Sequence, residues 1–218
     1  MTIIEVVTEV FEAEGKAPWL IKSAYTGIAA SLVRGKTTHV ISLLSVNSRQ
    51  PMTEETKAKL RRLWAKVRYL IIDEMSMISK SFLAKLSRNI GIGMEGNNYR
   101  DMSSSFGGVN VILCGDFHQF PPVATKHGEA LYYEQQPGLD DTDAKIGRKI
   151  YEEFETVVIL REQKRVDDPV WRSFLSRLRQ GKVDDEGVDM LKGLVLSKGQ
   201  KRINVDEPQW RTAPLITP

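Results

Sequence analysis

"YLIIDEMSMI", residues Tyr69 to Ile78, sets a short apolar run directly before an Asp-Glu pair. A run that brief reads as a strand buried on both faces, the strand type of a parallel sheet. Its acids, Asp73 and Glu74, then fall at the strand's carboxyl end, where open α/β sheets place their ligands. This is the Walker B arrangement. Asp73 would hold Mg²⁺, a hard cation that takes oxygen ligands, directly or through a water. Glu74 would polarise the water that attacks a γ-phosphate. A strand that merely ends in a solvated acid pair fits the same stretch.

A second segment downstream narrows the choice. "CGDFHQFPPV" (114–123) follows the apolar run of "VNVILCGD" (109–116), which reads as another buried strand. It delivers Gly115, Asp116 and, three residues on, Gln119, a side chain suited to contacting a γ-phosphate. Pro121-Pro122 stops regular structure behind it. A plain strand and turn accounts for the glycine and the prolines but not for the Asp-x-x-Gln spacing.

The surrounding pattern alternates helix and strand. Residues 2–14 put Ile3, Val7, Val10 and Phe11 on one helical stripe, with Gly15 as the stop. "PWLIKSA" (18–24) reads as a strand and "TGIAASLV" as a helix-like run of small residues. After a loop with Ser48 and Pro51, Thr53 caps a helix carrying Leu60, Leu63, Trp64 and Val67. Ser79 caps the next, with Phe82, Leu83, Leu86 and Ile90 inward; residues 96–108 are a polar, glycine-rich loop. Residues 124–150 read as a partly helical connection and "VVIL" (157–160) as a further strand. Asp168-Pro169 opens a helix that buries Trp171, Phe174, Leu175 and Leu178 and ends at Gly181. A short helix near 184–196 follows, and "APLITP" resembles the start of a strand. Helices alternating with short strands predict a parallel α/β sheet.

Composition excludes several classes. The 218 residues carry a net charge of +3, compatible with nucleic acid but too weak to argue for it. A single cysteine, Cys114, rules out a disulfide framework and a cysteine zinc site; within its apolar run it reads as a small buried hydrophobe. No apolar run approaches the roughly 20 residues a membrane helix needs. The acidic, amphipathic start is unlike a signal or transit peptide. The expectation is a soluble, intracellular chain with no membrane partner.

"SAYTGIAASLVRGKTTHVISLL", "LIIDEMSM", "FGGVNVILCGDFHQFPPV" and "VVILREQKRVDDPVWRSFLSRLRQG" occur in this order. Together they resemble the petite-integration-frequency (PIF) family of 5′→3′ superfamily-one DNA helicases, including the helicase part of Helitron transposons. The resemblance implies a RecA-like P-loop NTPase domain, a parallel sheet flanked by helices, coupling Mg²⁺-ATP hydrolysis to translocation on single-stranded DNA. It implies a monomer acting at single strands and duplex junctions, in the nucleus or the mitochondrion, with family roles in repair, recombination and telomere maintenance. Position by position, Asp73 and Glu74 match the Mg²⁺ ligand and catalytic glutamate, and Gln119 the motif III glutamine. Arg165, in "LREQKRV", matches the arginine that stabilises transferring phosphate charge. Thr26 and Gly27 match a segment that holds DNA phosphates, and Thr37, Thr38 and His39 match the Gly-x-Thr-x-His segment on the same DNA side. Tyr25 stands where many relatives have proline. Two rivals stay open: a non-catalytic DNA-binding remnant of a helicase or transposon, and a RecD-like helicase subunit.

"ASLVRGKT" (30–37) imitates a phosphate-binding loop. A working loop follows a strand and opens a helix, so that successive N–H groups cradle the phosphates. This one follows a helix-like run, has Ala30 for the first glycine and lies in the DNA-side segment. It reads as a decoy. In the family order the true loop precedes the first helix and would end just before Met1. The expectation is therefore a fragment incomplete at both ends: residues 1–165 a first RecA-like domain without its Walker A loop, residues 166–218 the opening of a second. Such a chain alone should bind ATP weakly and hydrolyse it negligibly.

Overall fold

The structure, a computed structural model, describes residues 3–44, 52–162 and 164–195. The loop at Ser48 and Pro51 and the "APLITP" tail lie outside them. The chain divides into two compact units, Met1–Val157 and Val158–Pro218.

The first unit is built on four parallel strands in the order β2-β1-β3-β4. These are β1 (Leu20–Ala24), β2 (Lys36–Thr37), β3 (Tyr69–Asp73) and β4 (Asn110–Leu113). Parallel pairing requires crossovers, and helices supply them: α2 (Gly27–Leu32) between β1 and β2, α3 (Thr38–Ser42) and α4 (Glu54–Trp64) between β2 and β3, and α5 (Lys80–Gly93) between β3 and β4; α1 (Ile3–Ala13) precedes the first strand and α6 (Thr142–Glu152) follows the last. The expected α/β class is therefore the observed one.

β3 is central, and its alternation sorts the two faces. Leu70 and Ile72, both fully buried, join Leu60 and Trp64 of α4 and Leu83, Leu86 and Ile90 of α5 in one apolar cluster. Ile71 is buried on the opposite face, and Tyr69 meets Phe11 of α1 edge-on with ring centroids 5.0 Å apart. Each such fully buried aliphatic side chain contributes about 1.5–3 kcal/mol. The helix starts are chemically specified. Thr53, Ser79 and Asp168 each accept an N–H of the first turn behind them, as their sequences predict.

Three details hold the framework in place. The Trp64 indole donates to the Ile41 carbonyl at 3.0 Å, and Asn89 donates to that of Ser42 at 2.9 Å, fixing α3. Lys80, fully buried, donates to Asp140 at 2.7 Å and so ties the long connection before α6 to the start of α5. At the amino ends of the strands the Arg68 guanidinium is sandwiched between Trp19 and Tyr99, 3.5 and 3.1 Å from their ring centroids.

Several expectations need correction. The stripe on α1 is rotated by one position: Ile4 is buried, while Ile3 and Val10 are more than half exposed. β4 is not buried on both faces, because it is an edge of the described sheet and its Ile112 is exposed. "VVIL" (157–160) forms no strand and its side chains are 72–77% exposed. No described strand runs beside it, and a strand exists only through a partner's hydrogen bonds. Among the described residues, no helix is long and apolar enough to cross a membrane.

The second unit contains α7 (Pro169–Arg179) and α8 (Asp185–Gly193). Phe174 is its buried anchor and stacks on Trp171 at 5.1 Å, whereas Leu178, expected inside, is exposed.

Candidate active site

β1 and β3 run in register, with Ala24 opposite Asp73. The residues just beyond the paired ends therefore emerge side by side at the carboxyl edge, where an α/β sheet binds ligands. Asp73 accepts the Glu74 N–H at 2.9 Å, which orients its carboxylate. Glu74 itself is left-handed, with φ 57° and ψ 43°. A residue with a Cβ holds that conformation at a cost of about 1–3 kcal/mol, and such strain concentrates at functional sites. The Met75 N–H, donating to the Cys114 carbonyl at 3.0 Å, pins the turn behind it.

Gly115 completes the floor. Its φ is 151°, and a Cβ there would stand 2.8 Å from the Met75 nitrogen, so only glycine lets β4 pass this close behind the acid pair. Burial, reinforced by the nearby Asp73 carboxylate, pushes the Cys114 thiol up, so the thiol stays protonated and is a packing group.

Thr26 joins the acids directly. Its hydroxyl donates to Glu74 Oε2 at 2.7 Å and accepts the Ala29 N–H at 3.3 Å as the cap of α2. Gly27 beside it is exposed and faces open space. Sequence reasoning set Thr26 apart from Glu74, on a different ligand. The signal available was Thr26 ahead of a small-residue helical run, an N-cap pattern that fixes where its hydroxyl sits.

The Gly-Lys-Thr segment is one strand further out. Thr37 pairs with Ala24, whose other neighbour is Asp73, so Thr37 and Asp73 lie two strand spacings apart, roughly 10 Å. The Thr37 hydroxyl caps α3 by accepting the Val40 N–H at 3.3 Å. Thr38 is fully buried, its hydroxyl turned inward. Its side chain is covered by the packing of α3, within the segment expected on the DNA side. His39 packs between Tyr25 and Phe82, with ring centroids at 5.4 and 4.8 Å. Burial lowers its pKa, so the imidazole is neutral at pH 7. Gly35 is present for contact: a Cβ would meet the Lys22 carbonyl oxygen at 2.3 Å. The segment follows a helix, and its glycine serves the β1–β2 junction.

Gln119 lies exposed in the loop behind β4, its N–H donating to the Asp116 carbonyl at 2.9 Å. Arg165 belongs to the second unit, exposed ahead of α7. Asp73, Glu74 and Thr26 are thus brought into one hydrogen-bonded group. Among the described residues no three His, Cys, Asp or Glu side chains gather as a metal cage. A pair of carboxylates at a strand end suits Mg²⁺, which keeps waters and takes substrate phosphates as its remaining ligands.

A family model described as PIF1-like helicase matches residues 3–135. The chain is 30% identical over 168 residues to an ATP-dependent DNA helicase PIF1 of Danio rerio, covering 75% of this chain and 24% of that protein. It is 30% identical over 190 residues to the helicase PIF5 of Trypanosoma brucei brucei, covering 78% of this chain and 20% of that one. Its fold matches Bacteroides Pif1 in complex with ADP-AlF3 and single-stranded DNA, with a TM-score of 0.61 and 25% identity over 93% of this chain and 45% of that one. It likewise matches Pif1 of Candida albicans, with a TM-score of 0.59 and 26% identity over 92% of this chain and 42% of that one. The chain spans about a quarter or less of the curated relatives it matches. The parallel sheet, the acid pair at the end of β3 and these matches lead to one conclusion: the chain belongs to the PIF1-like helicase family.

Proposed function

We propose that the chain is the motor segment of an ATP-dependent helicase that moves 5′→3′ along single-stranded DNA. The observation that carries the reading is the Asp73–Glu74 pair at the carboxyl end of β3, oriented by its own hydrogen bonds and tied to Thr26. Asp73, with Glu74 beside it, would hold Mg²⁺. When bound, that ion neutralises charge on the β- and γ-phosphates. Glu74 acts as the general base that orients the attacking water. Gln119 reports the γ-phosphate, and Arg165 stabilises its charge during transfer. Thr26 and Gly27 take a backbone phosphate of the DNA, with Thr37 and His39 on the same side and Thr38 shaping the turn from within. Contacts of this kind are sequence-tolerant, as a translocating enzyme requires. Support comes from the solved relatives: Bacteroides Pif1 has been crystallised with single-stranded DNA and with ADP-AlF4. Action as a monomer at duplex junctions, in repair, recombination and telomere maintenance, in nucleus or mitochondrion, belongs to the same proposal.

A labelled oligonucleotide tests the DNA half of this reading. The chain should bind single strands of unrelated sequence with similar affinity, weakening steeply as salt rises. A chain that retains its fold and binds no single-stranded DNA at low salt contradicts it.

A further inference from the structure

We propose that Thr26 is the positioning residue through which single-stranded DNA controls Glu74. The inference rests on the reading of Glu74 as the water-orienting base and of Thr26 as a phosphate contact.

A threonine hydroxyl has one proton to donate. Here it goes to Glu74 Oε2 at 2.7 Å, while the hydroxyl oxygen accepts the Ala29 N–H. Both ends of the hydroxyl are therefore committed. A DNA phosphate has acceptors only, so Thr26 can donate to it only by giving up Glu74. The two anions compete for one proton.

The surroundings confine the response to the Glu74 side chain. Its backbone is held by the N–H bond to Asp73 and by the Met75–Cys114 bond behind it. Releasing the carboxylate from Thr26 leaves Cα in place and frees the carboxyl group to turn toward a water at the acid pair. The two residues are 48 positions apart and sit on neighbouring strand ends, so the exchange needs no movement of the sheet. DNA on the Thr26 side thus permits hydrolysis, and Glu74 holds the phosphate contact in check. Coupling between two binding events is reciprocal, so the competition is measurable from the DNA side alone.

A double-mutant cycle on single-strand binding by the 218-residue chain, at one fixed salt concentration, provides the test. Glu74→Ala frees the Thr26 proton and leaves the α2 cap intact; it should tighten DNA binding about tenfold, the scale of a hydrogen bond to a charged group. In a Thr26→Val background the same change should have an effect of about twofold or less, because no proton remains to be released. Thr26→Ser, which keeps the hydroxyl, should restore the tenfold response. A purely structural Thr26 would weaken binding equally in both backgrounds, and such an additive cycle overturns the inference while leaving the helicase reading standing. If Thr26→Val does not fold, Glu74→Ala alone decides, and unchanged affinity overturns the inference. Absence of any single-strand binding by the unaltered chain overturns the helicase reading and the inference together.

Discussion

Replacing Gly35 by alanine separates the two meanings of the Gly-Lys-Thr segment. The new Cβ would stand 2.3 Å from the Lys22 carbonyl oxygen and 2.7 Å from its carbonyl carbon, both backbone atoms that cannot rotate away. Relaxed contact needs about 3.5 Å, so β2 must move off β1 by about 1 Å. β2 is held there by only two paired positions, Ser23–Lys36 and Ala24–Thr37. Overpacking of this kind costs about 1–3 kcal/mol. Restricting the unfolded chain returns about 0.4–1 kcal/mol, so the mid-range net loss is roughly 1 kcal/mol. For a unit the size of Met1–Val157 that lowers the melting temperature by about 2–4 °C. Circular dichroism melting measures it. Lys36→Ala, at an exposed position, should melt within about 0.5 kcal/mol of the parent. It should leave the affinity for a fluorescent ATP analogue unchanged and reduce the salt slope of single-strand binding by about 0.7. A Gly35→Ala chain as stable as the parent, with Lys36→Ala losing tenfold or more in nucleotide affinity, would make the segment a phosphate loop and refute the argument.

Two further outcomes concern the framework. Lys80→Met should cost about 3–5 kcal/mol in chemical denaturation, because Asp140 is left buried without its cation; a loss under 1 kcal/mol would show that the pair does not hold the connection. Burial alone would raise the Asp140 carboxyl, but the Lys80 bond and the Gln136 N–H outweigh it and hold it below the usual range. Its contribution is therefore present above the unfolded pKa of about 3.9 and is lost as pH falls through the lower folded value. His39 behaves in the same direction for a different reason: desolvation depresses its pKa, so the unfolded chain takes up its proton first. Stability should begin to fall below about pH 6.5, and His39→Gln should remove that limb of the profile.

What could be read from the sequence was what is decided locally. Thr53, Ser79 and Asp168 cap helices because their side chains reach an N–H two or three residues on, whatever lies elsewhere. β3 was plain because its apolar run is central and its acids end it. The misreadings have a common cause in partners distant along the chain. An apolar run such as "VNVILCGD" looks the same at the edge of a sheet as at its centre, and "VVIL" reads as a strand with no neighbour to pair. Periodicity gives a stripe on α1 but not which edge of the stripe meets Tyr69. The Thr26–Glu74 bond joins residues 48 positions apart and the Lys80–Asp140 pair joins residues 60 apart, so neither leaves a spacing to recognise. Thr38 looks like a surface hydroxyl until the packing of α3 buries it.

The central claim is that Glu74 orients the water that cleaves ATP while Asp73 keeps hold of the metal. It is tested most directly by steady-state ATP hydrolysis with saturating single-stranded DNA, in a chimera that sets residues 1–218 in place of the matching segment of a full-length PIF1-like relative. Glu74→Gln should lower turnover by about 10² or more while the affinity for a fluorescent ATP analogue stays unchanged. Turnover equal to that of the parent in Glu74→Gln would contradict the account.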